Sequence, residues 1–78
     1  MHAEMLVRMV NQIAEFYGTG SAPDIAANET LSHLKRMWAP RMCKQIVEIG
    51  SDDPGLSPIS RVAVGLLAAA QAQKRVAG

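Results

Sequence analysis

The sequence has little aromatic surface: one Trp, one Tyr and one Phe make up 4% of its 78 residues. Residues suited to a pleated sheet are comparatively sparse, while Ala is the commonest residue and Met occurs five times. That balance favours helix over strand. Cys43 is the only cysteine, so no disulfide can form within the chain, and a reducing, cytoplasmic setting is expected. A strong charge of either sign is also missing. Eight basic residues face seven acidic ones for a net charge of +1, which lacks the clustered positive footprint of a nucleic-acid binder. The longest uncharged apolar run, Val62 to Gln73, holds two glutamines and falls short of the ~20 residues needed to span a bilayer. The opening residues lack a charged segment followed by an apolar stretch, so no secretory leader is expected.

What the chain does have is apolar content, 49% hydrophobic against 19% charged. A chain of this size buries only about 60% of the surface its unfolded form exposes, so one helical domain over residues 1–78 is expected. The apolar surplus over what so small a core can take points to a partner surface.

Four helical segments follow from periodicity and punctuation. The first runs from about 4 to 17, with Met5, Leu6, Met9, Val10, Ile13, Phe16 and Tyr17 on one stripe, and the glycines of Gly18-Thr19-Gly20 should end it in left-handed conformation. Ser21 is placed to cap a second helix over about 22–38, with Pro23 in its first turn and Ala27, Leu31, Leu34 and Trp38 repeating at helical spacing. Pro40 interrupts that pattern and opens a third helix to about 49, striped by Met42, Cys43, Ile46 and Val47 and stopped at Gly50. Ser51-Asp52-Asp53-Pro54-Gly55 is the strongest turn signal, and Ser57-Pro58 reads as the cap of a fourth helix, about 58–73. Its stripe is Ile59, Val62, Ala63, Leu66, Leu67 and Ala70, with a solvated or frayed tail from Gln71 onward. The fold class is all-α, a small bundle of three to four helices.

Few residues suggest chemistry. His33 lies four residues after Glu29, and Cys43 could add a third metal ligand, but Glu and His at that spacing are also an ordinary helix-surface pair, and the other histidine, His2, is terminal. Cys43, near a helix start, could be a nucleophile activated by His33; on an apolar stripe it also reads as a small buried hydrophobe. Lys35, Arg36, Arg41 and Lys44 gather at the turn between the second and third helices, which admits a helix-turn-helix regulator of DNA, yet the third helix is short and offers few base-reading side chains. The corner Trp38, Pro40, Arg41, Met42 combines residue types frequent in protein interfaces. Trp38 could equally be the core residue of a small bundle.

Three segments form a familiar set: Arg8-Met9-Val10-Asn11-Gln12-Ile13-Ala14-Glu15-Phe16-Tyr17, His33-Leu34-Lys35-Arg36-Met37-Trp38-Ala39-Pro40-Arg41-Met42, and Gly55-Leu56-Ser57-Pro58. Together they resemble the delta subunit of NAD-dependent, molybdenum-containing formate dehydrogenase, from Leu6 to about Leu67. The resemblance implies an accessory role in a soluble complex whose large subunit holds the bis-molybdopterin guanine dinucleotide and iron–sulfur clusters, other subunits carrying flavin and the NAD site. The chain's own residues agree with having no cofactor: one Cys cannot hold an iron–sulfur cluster alone, and no glycine-rich phosphate loop is present. The expectation is a non-catalytic subunit that binds the formate dehydrogenase large subunit to aid assembly, maturation or stability, with no nucleic-acid or membrane partner. Trp38, Pro40, Arg41 and Met42 are the first candidates for contact, and Asn11 and Gln12 on the first helix the second.

Overall fold

A computed structural model describes residues 2–77, the last four of them by backbone alone. It contains four helices, α1 (Ala3–Gly18), α2 (Pro23–Met37), α3 (Pro40–Ile49) and α4 (Pro58–Ala77), and no strand among the described residues. Helix α2 is central, packing most extensively on α4 and α1, while α3 touches all three others. The Cα radius of gyration is 11.6 Å.

Three of the helix starts share one device. Ala22, Ala39 and Ser57 each precede a proline that occupies the first helical position. The proline ring fixes a helical φ and removes an N–H that would have had no partner, while it holds the preceding residue extended. Only Ser57 adds a side-chain cap. Its hydroxyl oxygen accepts from the Ser60 N–H at 3.3 Å and its O–H meets the Ser60 hydroxyl at 2.9 Å, which lets the Ser60 side chain lie fully buried. Ser21, expected to cap α2, does not: the cap position falls on Ala22, with no side-chain bond. The Ala22-Pro23 pair sets the start one residue later and leaves the serine outside.

The glycines after α1 also divide their roles. Gly20 takes the left-handed conformation at φ 81°, as a helix-ending glycine does, whereas Gly18 remains helical. A Cβ on Gly18 would come within 2.9 Å of the Ile59 Cδ1 atom, so Gly18 serves the approach of α4. Thr19 finishes α1 by donating its hydroxyl to the Glu15 carbonyl at 3.0 Å.

The core joins Leu6 and Val10 of α1, Leu34 and Trp38 at the end of α2, Cys43 and Ile46 of α3, Leu56 of the last turn, and Val64 and Leu67 of α4. Small buried residues, Ala14, Ala26, Ala27 and Ala63, let the helix axes come close. Two apolar stripes sit differently from their periodic reading. On α1 the buried line is Leu6–Val10–Ala14, and Met5 and Phe16 are 48% and 75% exposed. At about 100° per residue Met5 lies about 100° around the helix from Leu6 and about 140° from Val10, and Phe16 about 80° and about 120° from the same two residues. On α4 the buried line is Ser60, Ala63, Val64 and Leu67, and Val62 faces out. Polar Ser60 can hold an inner position because its hydroxyl is satisfied by the cap. The helix backbone continues to Ala77; the expected solvation of the tail from Lys74 on falls outside the described side chains.

One side chain ties the last turn to the first helix. Asn11 donates from Nδ2 to the Gly55 carbonyl at 2.8 Å and accepts at Oδ1 from the Ser57 N–H at 2.9 Å. It thereby holds Leu56 between those two bonds, and Leu56 is 3% exposed. Asp53 shapes the same turn by accepting the Gly55 N–H at 2.9 Å, and the Arg61 Nε–H reaches the Leu56 carbonyl at 3.2 Å.

Asn11→Leu should therefore lower stability by about 1–2 kcal/mol, since it strips two hydrogen bonds from a partly buried turn. For a domain of this size each kcal/mol lowers the melting temperature by about 4–8 °C. Asn11→Asp, which keeps the acceptor and loses the donor, should melt between the two. Trp38→Ala should cost more, about 3–5 kcal/mol. Denaturant melts followed by circular dichroism give the ranking, and an Asn11→Leu protein as stable as the wild type would refute the clamp.

Candidate functional site

The corner between α2 and α3 is two residues long. Trp38 closes α2 through its N–H to the Leu34 carbonyl at 3.1 Å, and Ala39 starts α3 in extended conformation ahead of Pro40. The Cys43 thiol crosses the corner and donates to the same Leu34 carbonyl at 3.4 Å. The last turn of one helix is thus bonded to the first turn of the next.

Around this bend the candidate residues part company. Trp38 is only 8% exposed and belongs to the core, which favours its packing role over that of an outward anchor. Pro40 and Arg41 are exposed, and Met42 is half-buried against the core. One edge of the Trp38 side chain lines a groove of about 370 Å³ shared with Lys35, Pro40, Cys43, Leu67, Ala70 and Gln71. Nothing in the periodicity pointed to this groove, because its second wall comes from α4, some thirty residues away in sequence.

Asn11 and Gln12 lie elsewhere. Gln12 is exposed, while the Asn11 amide is engaged with its own chain at both ends. Asn11 borders two other depressions. One of about 400 Å³ lies beside Val7, Arg8 and Gly55, and a larger one of about 560 Å³ runs between Ala14, Gly18, Pro23, Pro58 and Ile59. No residue of the corner groove lines either, so the six sequence candidates fall in two separate places.

The residues weighed for chemistry are also apart. Nδ1 of His33 faces the Tyr17 hydroxyl at 3.3 Å, and the Tyr17 ring stands edge-on to both His33 and Phe16. Glu29 is exposed, and among the described residues no three of His, Cys, Asp and Glu gather as a metal would require. Burial pushes the Cys43 thiol pKa up, opposite to the lowering that an activated nucleophile needs. With His33 turned to Tyr17, the His33–Cys43 pairing considered from sequence is not formed.

A family model described as NADH-dependant formate dehydrogenase delta subunit FdsD matches residues 5–64. The chain belongs to that delta-subunit family. No curated protein and no solved structure matches it. The three segments that suggested the resemblance all lie inside the matched span, and the fold relates them physically. The delta-subunit Asn11 grips Gly55-Leu56-Ser57, so the first and third segments form one hydrogen-bonded unit, and the second forms the corner. The α4 wall of the corner groove, from Leu67 on, lies beyond the match. No helix among the described residues is long and apolar enough to cross a membrane.

Two outcomes follow for Cys43. Its thiol should react with a maleimide much more slowly in the native protein than in denaturant, the rate ratio measuring its occlusion. The raised thiol pKa also has a sign for stability. As pH rises through the ordinary thiol range, the unfolded chain loses this proton first, so the native state holds more protons and stability falls. Below that range the group adds no pH dependence. Cys43→Ala should show a shallower alkaline loss than the wild type in paired urea melts; parallel curves would remove Cys43 as the source.

Proposed function

We propose that this delta subunit is a non-catalytic, cytoplasmic accessory protein that binds the cofactor-bearing large subunit of formate dehydrogenase and aids its assembly, maturation or stability. The family match over residues 5–64 carries this reading. Surface composition supports it. Met5, Phe16, Ile25, Met37 and Val62 leave large apolar side chains about half exposed or more on a chain of 78 residues, a feature that fits a subunit completed by a neighbour. The exposed Arg41 beside a rigid two-residue bend supports the corner as the place of contact, because a guanidinium held there can meet a carboxylate or carbonyl in forked geometry.

Co-expression of the large subunit with and without this chain tests the role. With the chain present, the large subunit should be recovered in higher yield or with fuller cofactor content, and the two should co-purify. Equal recovery with no co-purification would refute the proposal. Within the complex, Arg41→Ala should leave the isolated chain folded, since a surface change is usually within about 0.5 kcal/mol. It should weaken binding by about 2 kcal/mol, roughly thirtyfold. Full affinity in a folded Arg41→Ala protein would move the contact away from the corner.

A further inference from the structure

The charges of this chain are segregated although their sum is near zero. From Leu31 to Val47 there is no Asp or Glu, and Lys35, Arg36, Arg41 and Lys44, half of all the Lys and Arg, fall in that stretch. The fold places all four on the outside of one bend, two in the last turn of α2 and two in the first turns of α3. Of the acidic residues of these helices, Asp24 lies in the first turn of α2, Glu29 near its middle, and Glu48 late in α3, one turn beyond Lys44. The bend is therefore a positive patch that the net charge conceals.

The corner groove opens on that patch. Lys35 stands at its edge, Trp38 and Pro40 form one wall, and Leu67 and Ala70 form the other. The α4 wall belongs to the uncharged run from Val62 to Gln73, so this groove has an apolar interior, a basic margin and no carboxylate in its lining. Its volume of about 370 Å³ has room for one or two large apolar side chains at the density of a protein interior. Exposed Met37 adds a flexible apolar side chain beside the two lysine and arginine pairs.

We propose that the corner groove receives an acidic segment of the partner subunit, one that inserts an apolar side chain between Trp38 and Leu67 and sets flanking carboxylates against Lys35 and Arg41. This rests on the docking role proposed above and names the chemistry of the surface that is docked. Charge complementarity decides the occupant. An apolar segment without carboxylates would leave four cations facing a neutral surface, and a basic one would be repelled. A nucleic acid would match the charge and leave the apolar interior unfilled.

Trp38, the only tryptophan in the chain, reports occupancy of the groove through its fluorescence. The full-length protein is titrated with three probes: a short peptide of Asp and Glu around a central Leu-Phe pair, the same peptide with Lys for every acid, and a duplex DNA. The acidic peptide should saturate the Trp38 signal and weaken strongly as salt rises from about 0.05 to about 0.5 M, and the lysine peptide should not bind. Lys35→Glu/Arg41→Glu should weaken the acidic peptide at least tenfold, and Ala70→Phe, which fills the groove without changing charge, should do the same at constant salt slope. Helical circular dichroism of each variant shows that folding is kept. The same variants are then tested for capture of the formate dehydrogenase large subunit. Capture by the wild type and equally by both variants overturns the groove and leaves the docking role standing. Peptide binding without any capture by the wild type overturns the docking role and leaves the groove's preference standing. DNA binding tighter than the acidic peptide, or no response to any probe, overturns the proposal.

Discussion

The double hydrogen bond of Asn11 is the constraint on which the arrangement of the bundle depends. Helices α1 to α3 follow one another through short connections, but α4 is reached only after an eight-residue excursion from Gly50 to Ser57. Such a segment has many conformations to lose. Asn11 takes both the Gly55 carbonyl and the Ser57 N–H, and in doing so sets where Leu56 enters the core and where Pro58 starts the last helix. The position and direction of α4 then decide how Val64 and Leu67 meet α2 and α3, and with them the second wall of the corner groove. A polar contact on the flank of α1 in this way positions an apolar surface on a different helix.

That contact also changes how the motif residues are understood. An asparagine among polar residues on a helix surface reads as available for a partner. Here its amide is consumed within the chain, and the quantity it conveys to a partner is geometry. Asn11 on α1 and the turn Gly55-Leu56-Ser57-Pro58 are two halves of one structural joint. The corner is the motif that keeps free groups on its outside, Arg41 among them.

Much of the fold was legible locally. Prolines at the starts of α2, α3 and α4, and the turn chemistry of Ser51 to Gly55, place helix boundaries because they act through φ restriction and missing donors over two or three residues. Rotation of the helices was less legible. Seven apolar residues on α1 cover too wide an arc for one contact face, and hydrophobicity alone does not distinguish Leu6 from Phe16; packing against α2 and α4 does. The inner role of Ser60 was hidden because a serine is buried only when its hydroxyl has a partner, and that partner, Ser57, acts through a cap. Of the candidate site, the basic bend could be read from Lys35 to Lys44. The groove could not, since Leu67 and Ala70 join it only through tertiary contact.

The buried alanines carry a consequence of their own. Ala26 and Ala27 on α2 and Ala63 on α4 have no exposed surface, and helices separated by such small side chains lie near the short end of the usual range, about 8 Å between axes. That spacing is a dimension of the molecule set by single methyl groups. An extra methylene at Ala63 would push α4 outward, and Leu67 and Ala70, one and two turns further along the same rigid helix, would travel with it. The width of the groove is thus governed by a residue that lines no part of it, so the fit to a partner can drift through substitutions that touch neither surface.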